Sequence, residues 1–155
     1  MPARRTQGRR KVQPRRMPHT QQEQLERLAG LVLHEIDRIL FDLEFRRDML
    51  FKLWSKNRTR APLLQTLRSH YYALSFDQLR LFPAPLARQL DTFYRLLDAF
   101  IFYVSYTEDM PQSLQQKFSS FLQELKGRAT PVMDALRDLA GEDELAALEI
   151  PDFGD

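Results

Sequence analysis

The sequence predicts an all-α protein, and three observations lead to this fold class. Apolar residues recur at steps of three, four and seven over long stretches, which is the period of an amphipathic helix. No stretch shows the regular apolar and polar alternation of a half-buried strand. Prolines, glycines and cap residues divide the periodic stretches into four. We therefore expect an antiparallel four-helix bundle with a long first helix and a kinked last helix.

The first helix is expected to begin at Thr20 and to reach about Lys56. Thr20 and Glu23 have the spacing of a capping box, in which each side chain accepts a hydrogen bond from the other residue's amide. No glycine or proline interrupts residues 31–60, so the helix would be about 55 Å long. Its apolar seam consists of Leu25, Leu28, Val32, Ile36, Ile39, Leu43, Leu50 and Leu53, and is widened by Phe41, Phe45 and Trp54.

A second, shorter helix is expected from Pro62 to about Leu74, because proline is favoured in the first turn of a helix. Ser75 and Gln78 have the spacing of another cap and predict one further short turn. The sequence Phe82-Pro83-Ala84-Pro85 then ends this region, since a residue that precedes proline avoids the α conformation.

The third helix is expected from about Pro85 to Tyr106. It has the clearest seam of the chain, and Leu96, Ile101 and Tyr103 broaden it, so we expect this helix to be the most buried. The seam residues are Leu86, Leu90, Phe93, Leu97, Phe100 and Val104.

The fourth helix is expected to be capped by Asp109 and to carry Pro111 in its first turn. Gly127 and Pro131 could divide it into two helices. We favour one helix over residues 111–140, kinked where Pro131 leaves the carbonyl of Gly127 unpaired, because the apolar residues keep one register past both positions. That register comprises Leu114, Phe118, Phe121, Leu125, Ala129, Val132, Leu136 and Leu139.

Charge is distributed very unevenly along the chain. The first sixteen residues contain seven cations and no acid, whereas residues 17–155 contain 16 basic and 21 acidic residues. Residues 1–19 have no apolar periodicity, so we expect a disordered basic arm before a helical bundle over residues 20–140 and an acidic C-terminal tail over 141–155. The cations of the arm are Arg4, Arg5, Arg9, Arg10, Lys11, Arg15 and Arg16.

The arm has the composition of an anion-binding segment. Guanidinium groups bind phosphates in a bidentate manner, so nucleic acid is the first expected partner, bound through its backbone without sequence preference. The arm has no aromatic residue that could stack on bases. An acidic protein surface is the second candidate. An anionic membrane is a weaker one, because no apolar anchor adjoins the arm. An arm that only improves solubility is the remaining alternative.

The first helix–helix corner is a candidate for a second basic patch, because residues 46–68 contain seven cations and only one acid, Asp48. The alternative is that these cations only complement the dipole of the first helix. The seven are Arg46, Arg47, Lys52, Lys56, Arg58, Arg60 and Arg68, and we take Lys56, Arg58 and Arg60 as the anion-binding candidates.

The C-terminal end is acidic, with eight acids and one arginine between Asp134 and Asp155. It could pair with the basic arm, in the same molecule or in a neighbour, or it could be a solvated acidic helix. Ile150, Pro151 and Phe153 form a candidate docking peptide within it, and the favoured alternative is that this C-terminal segment packs onto the bundle. This segment resembles the C-terminal tail of the bacterial division tubulin, which binds partners through such a core.

The sequence lacks the residues that most kinds of catalytic site require. The five glycines are scattered, so there is no phosphate-binding loop, and no histidine follows a glutamate by three residues, as a di-iron bundle requires. There is no cysteine, and no apolar stretch is long enough for a secretion signal or a membrane span. We therefore expect a cytoplasmic protein that is not an enzyme and has no metal or cofactor.

His34-Glu35 is the best remaining polar pair for a catalytic role. Beside His34, Glu35 could be a buried carboxylate for acid–base chemistry. The structural alternatives are an ion pair with Arg38 and a buried polar group that fixes the register of the bundle. We favour the structural alternatives.

Residues 67–104 resemble an uncharacterised group of prokaryotic helical proteins. The similarity lies in Leu74-Ser75, in Leu81-Phe82-Pro83 and in Phe93-Tyr94 with the apolar run to Val104. Outside this range, His34-Glu35-Ile36-Asp37 stands where that group has an acidic run on its first helix. The resemblance implies a helical bundle and implies no activity. Many members have a membrane helix before the first helix, where this chain has its basic arm.

These observations lead to one functional expectation and one alternative. We expect a non-enzymatic helical adaptor or assembly protein whose arm binds an anionic partner, nucleic acid first. The alternative is a protein–protein interaction component of a larger complex or homo-oligomer, which docks through the basic arm and the acidic tail.

Overall fold

A computed structural model of the chain describes residues 19–141, and this range is all-α, as predicted. The seven arm cations and the docking candidates Ile150, Pro151 and Phe153 lie outside the described residues. The helices are α1 His19–Phe45, α2 Arg47–Asn57, α3 Ala61–Thr66, α4 Phe76–Leu79, α5 Ala84–Tyr106 and α6 Pro111–Leu139, with a 3-10 turn at Tyr71–Ala73 before α4.

The predicted first helix is divided at Arg46, so the expectation of an unbroken helix to Lys56 is wrong. Arg46 has φ −93° and ψ 0°, between the helical and extended regions. Its N–H still donates to the carbonyl of Asp42 at 3.0 Å, and its carbonyl still accepts from Leu50 at 2.9 Å. The helical conformation is therefore interrupted at Arg46, whereas the helical hydrogen bonds made by its N–H and its carbonyl are kept. Because α1 begins at His19, Thr20 lies inside the first turn and not at its cap.

The predicted second helix is much shorter than expected, because α3 ends at Thr66 and not near Leu74. A continued helix would direct the N–H of His70 to the carbonyl of Thr66. That N–H instead donates to the carboxylate of Glu35, at 2.9 and 3.1 Å. The short turn after it is confirmed, since Ser75 and Gln78 form the expected capping box at the start of α4.

The third and fourth predicted helices are confirmed in extent. α5 begins within one residue of the expected start, and all six residues of its seam are buried. α6 is one helix through Gly127 and Pro131. Its expected cap is wrong, because the cap position is Met110. The carboxylate of Asp109 instead accepts hydrogen bonds from the side chains of Tyr103 and Lys117.

The core lies where α6 packs against α1 and α2 on one side and α5 on the other. Phe100 of α5 stacks on Phe121 of α6 with ring centroids 3.9 Å apart. The contacts along α1 and α2 occur in reverse order along α6, so these elements are antiparallel. They join Glu26 to Gly141, Glu44 to Lys126, Arg47 to Ser119 and Phe51 to Phe118.

Two aromatic residues expected to widen the buried stripe of the first helix are exposed instead. Phe41 and Phe45 have 58% and 77% of their surface accessible, and their rings stack on each other at 5.4 Å. Trp54, in contrast, is buried as expected. Within residues 19–141, none of the helices combines the length and the apolar character needed to cross a membrane.

Candidate functional site

Three of the predicted anion-binding residues lie at the corner between α2 and α3. Lys56 is in the last turn of α2, Arg58 ends that helix, and Arg60 precedes α3. Lys56 and Arg58 are exposed and form no ion pair with any residue between 19 and 141. Lys52, one turn before Lys56, shares both properties. We call Lys52, Lys56 and Arg58 the basic corner.

Arg58 is held in an unusual backbone conformation. It has φ 53° and ψ 30°, in the left-handed region, and its N–H donates to the carbonyl of Trp54 at 2.8 Å. Glycine is the usual residue at such a helix end, because a side chain in this region costs about 1 kcal/mol. At this corner an exposed cation therefore occupies a position where the backbone favours glycine.

Arg60 is half-buried and contacts two other elements at this corner. Its guanidinium carbon lies 4.8 Å from the centroid of the Trp54 ring, and its Nη1 donates to the carbonyl of Val104 at 2.6 Å. That carbonyl is in the last turn of α5, where it lacks a helical partner and carries partial negative charge. The contacts of Arg60 thus link α2, the start of α3 and the end of α5. Its guanidinium, which was expected to bind anions, is therefore already engaged within the protein.

The other cations of residues 46–68 face different directions and do not enlarge the basic corner. Arg46 lies 3.5 Å from the carboxylate of Asp42. Arg47 faces α6, where its Nη2 donates to Ser119 at 2.7 Å, and its buried Nε has no hydrogen-bond partner in the described part of the chain. Arg68 is exposed in the loop after α3.

A second polar cluster is centred on Glu35 of α1. Its carboxylate accepts hydrogen bonds from the N–H of His70, at 2.9 and 3.1 Å, and from the hydroxyl of Tyr94, at 3.2 Å, and lies 3.0 Å from Nδ1 of His70. The expected ion pair with Arg38 is not formed, because Arg38 contacts Asp42 at 3.6 Å. Glu35 therefore joins α1 to α5 and to the loop before the 3-10 turn.

The Tyr94 hydroxyl is kept in its neutral, donating form. Burial raises the pKa of Tyr94 far above its ordinary value, and the negative charge of Glu35 acts in the same direction. Tyr71 stacks on Tyr94 with ring centroids 4.0 Å apart, and burial raises its pKa as well. The phenols thus remain uncharged, and the cluster has one anion, the carboxylate of Glu35.

A cleft of about 380 Å³ opens beside this cluster, between α1, the 3-10 turn and α4. Its floor is formed by buried residues, among them Leu28, Val32 and Tyr94, and its rim includes the exposed side chains of Leu31 and His34. We call it the α1 cleft. Its volume is in the range of ligand-binding pockets.

The geometry favours a structural role for Glu35. Its two oxygens are engaged by donors from the protein itself, so the residue satisfies the buried hydroxyl of Tyr94 and ends the helix before His70. In the part of the chain that the structure describes, no group of three potential ligands could hold a metal ion.

Glu35 is a candidate from the sequence, but its partners are not. His70 and Tyr94 are 35 and 59 residues further along the chain, so no local spacing connects them to Glu35. One sign of these contacts is present in the sequence. Tyr94 lies within an apolar helix, and a buried tyrosine needs an acceptor for its hydroxyl.

The described chain starts and ends at the same end of the molecule. α1 starts at His19, and a side-chain carbon at Gly141 would lie 3.3 Å from the carboxylate of Glu26. Glu26 is seven residues into α1, or about 10 Å along its axis. The basic arm and the acidic tail, which are far apart in sequence, are therefore attached close together.

Comparisons with known proteins do not place the chain in a family. The resemblance of residues 67–104 to an uncharacterised helical group thus stays a prediction. No protein-family model matches the chain, and neither a curated protein nor a solved structure matches it.

Proposed function

We propose that this protein is a non-enzymatic helical adaptor of the cytoplasm whose Arg-rich N-terminal arm binds the backbone of nucleic acids. Among the described residues, the observation that carries the proposal is the basic corner, where three exposed cations form no ion pair within residues 19–141. The arm adds seven cations. Such charges would neutralise phosphates without reading the bases.

The scaffold in this proposal is an antiparallel four-helix bundle. Residues 61–82, with the short helices α3 and α4, would take the place of the second helix between α2 and α5. The missing hydrogen bond at Pro131, inside α6, supports a kink in the last helix.

The two basic features are attached far apart on this scaffold. The arm precedes α1, whereas the basic corner lies at the end of α2. α1 is about 40 Å long and α2 about 16 Å. DNA carries one charge per 1.7 Å of its axis, so each feature would meet a separate group of phosphates on one long polyanion. We therefore expect the arm and the corner to contribute independently to binding.

Binding of fluorescently labelled mixed-sequence DNA and RNA across a salt series tests the proposal. Replacing all seven arm cations by glutamine should remove most of the affinity and lower the slope of log K against log salt by up to about six. Replacing the basic corner by glutamine should lower the slope by about two to three.

A matched control removes three exposed arginines that already form ion pairs. Replacing Arg80, Arg95 and Arg128 by glutamine should change the slope much less than replacing the basic corner, because their charges are offset by Asp77, Asp91 and Glu124. If the arm-neutralised protein binds at low salt as the unmodified chain does, the nucleic-acid proposal fails.

A protein–protein interaction component is the second candidate, favoured by exposed aromatic pairs. Phe41 and Phe45 stack on the surface of α1, and Phe102 and Tyr106 pack at 4.7 Å on the surface of α5. Exposed apolar patches are common at protein interfaces.

Light scattering across a concentration series tests this second candidate. We expect assembly by the full chain and less assembly after Phe41→Ser with Phe45→Ser. Forms that lack the arm or the acidic tail identify the segment that docks. A monomer at every concentration, and after mixing with nucleic acid, would contradict the homo-oligomer.

A further inference from the structure

The α1 cleft presents an apolar surface with basic side chains along one edge. On α1, Arg27, Leu31, His34 and Arg38 recur at steps of four, three and four, so they lie along one face of the helix. Arg27 is exposed and forms no ion pair within the described range, and Leu31 has 65% of its surface accessible. Arg38 has a partner, Asp42, at 3.6 Å.

Glu35, the acidic residue that lines the cleft, does not make the open surface of the cleft acidic. The carboxylate of Glu35 points to His70 and Tyr94 and accepts hydrogen bonds from both. Nδ1 of His70 lies 3.0 Å from this carboxylate, and the His70 side chain is 87% exposed, whereas that of Glu35 is 13% exposed. The lining of the cleft therefore combines apolar side chains with Arg38 and two histidines. Arg38 also donates to the carbonyl of Arg68 at 3.2 Å, and Arg27, unpaired within the described range, lies further along the same face of α1. Such a surface suits a peptide that carries both apolar and acidic residues.

A segment with that composition begins where the described chain ends. Residues 142–155 contain six acids and no cation, together with four large apolar residues. The apolar residues are Leu145, Leu148, Ile150 and Phe153.

The position of Gly141 brings this segment to the cleft. Gly141 lies beside Glu26, and along α1 the distance from Glu26 to Leu31 is about 8 Å and to Arg38 about 18 Å. An extended chain spans about 3.3 Å per residue, so residues 142–155 can reach about 45 Å from Gly141. The whole basic edge of the cleft is within reach of the same molecule.

We propose that residues 144–153 of the chain dock into the α1 cleft of their own molecule. Their large apolar side chains cover Leu31 and the floor of the cleft, and their acids face Arg27, His34 and Arg38. The docking role predicted for Ile150, Pro151 and Phe153 thereby gains a specific surface. This proposal involves neither the arm nor nucleic acid, so it succeeds or fails independently of the proposed function.

Disulfide trapping in the full chain tests the proposal directly, because the sequence contains no cysteine. Leu31→Cys is combined in turn with Leu145→Cys, Leu148→Cys, Ile150→Cys and Phe153→Cys. A disulfide requires α-carbons within about 7 Å, so only a docked segment should form one efficiently. We expect at least one pair to close several-fold faster than its control, within the monomer and at a rate independent of protein concentration.

The matched control places the first cysteine at Phe102, which is on α5 and is also 65% exposed. Charge reversal by Arg27→Glu with Arg38→Glu should slow trapping at Leu31 and leave trapping at Phe102 unchanged. Equal rates for the Leu31 and Phe102 pairs overturn the proposal. Disulfide-linked dimers whose rate rises with concentration overturn it as well, because the occupant would then be the segment of a second copy.

An independent readout requires no cysteine. The ring protons of His34 and His70 should have different NMR shifts in the full chain and in a variant with Leu148→Ser, Ile150→Ser and Phe153→Ser. These substitutions leave residues 19–141 unchanged. Identical imidazole shifts in the two proteins would contradict docking.

Discussion

The carboxylate of Glu35 accepts hydrogen bonds from protein donors on two other parts of the chain. One donor is the N–H of His70, which would otherwise continue the helix that ends at Thr66. Another is the hydroxyl of Tyr94, whose side chain is fully buried. A buried hydroxyl without a partner costs about 1–3 kcal/mol. One side chain on α1 thus determines the shape of a loop and stabilises a polar group on α5.

Substitution of Glu35 should lower the free energy of unfolding more than substitution of Tyr94. We expect Glu35→Ala to lower the free energy of unfolding by about 1–3 kcal/mol, because the Tyr94 hydroxyl is left unsatisfied, and Tyr94→Phe to lower it by about 0.5–1.5 kcal/mol. In the Glu35→Ala background, Tyr94→Phe should cost almost nothing. Urea unfolding followed by circular dichroism measures all three, with the exposed Asp37→Ala as the control. Additive losses would contradict the coupling.

Arg58 offers a second test at the scale of one residue, because its φ of 53° favours glycine. We expect Arg58→Gly to raise the free energy of unfolding by about 0.5 kcal/mol, since relief of the left-handed strain exceeds the entropy that glycine adds to the unfolded chain. The same change should weaken nucleic-acid binding.

The control for this prediction removes a cation at a helical position. Lys56→Gly lies inside α2 and should lower the free energy of unfolding by about 1 kcal/mol. Urea unfolding gives the stabilities, and anisotropy titration gives the affinities. A loss of stability in Arg58→Gly would show that the arginine side chain itself supports the corner.

At the scale of the elements, the long helices α5 and α6 could be predicted together with their ends, whereas the ends of α1 and α3 could not. The seams of α5 and α6 could be predicted because the spacing of apolar residues along a helix determines which of its faces is buried. α6 continues through Gly127, where an added side-chain carbon would meet no atom within 4 Å apart from the nearby backbone of its own helix and the adjoining residues. The interruption at Arg46 has no proline or glycine to mark it. The end of α3 depends on Glu35, which no nearby residue reveals.

The junction between α5 and α6 is stabilised by a charge that titrates. Asp109 accepts hydrogen bonds from Tyr103 and Lys117, and these lower the pKa of its carboxyl below the ordinary value. A carboxyl whose pKa is lower in the folded state stabilises the fold above its unfolded pKa, near 4. That contribution is lost as the pH falls through the folded value.

We therefore expect Asp109→Asn to destabilise the protein by a constant amount between pH 7 and pH 5. The difference from the unmodified chain should shrink below about pH 4, where the native carboxyl also becomes neutral. Urea midpoints of both proteins across this pH range measure it. The control is Glu108→Gln, an exposed neighbour without an ion pair in the described range, which should have little effect. A difference that persists at pH 2 would indicate that the charge of Asp109 is not the cause.

For the whole molecule, the described part is almost neutral, and both charged segments are attached at one end of it. Residues 19–141 contain 16 basic and 15 acidic residues. Residues 1–18 contain seven cations, and residues 142–155 contain six acids. In sequence these segments are separated by the 123 residues 19–141, whereas the position of Gly141 beside Glu26, about 10 Å along α1 from His19, brings their attachment points to the same end of the molecule. Only the packing of α6 against α1 reveals this proximity.

This proximity predicts that the acidic tail weakens nucleic-acid binding by the arm. Replacing Glu142, Asp143 and Glu144 by their amides should raise the affinity for mixed-sequence DNA about tenfold at 50 mM salt. The gain should nearly vanish at 0.5 M salt, because exposed charges are then screened within about 5 Å. The control variant amidates Asp77, Asp98 and Glu108, three exposed acids of the described part, and so makes the same change in net charge. A larger gain for the tail variant supports the proximity argument, whereas equal gains would mean that only the net charge of the molecule matters.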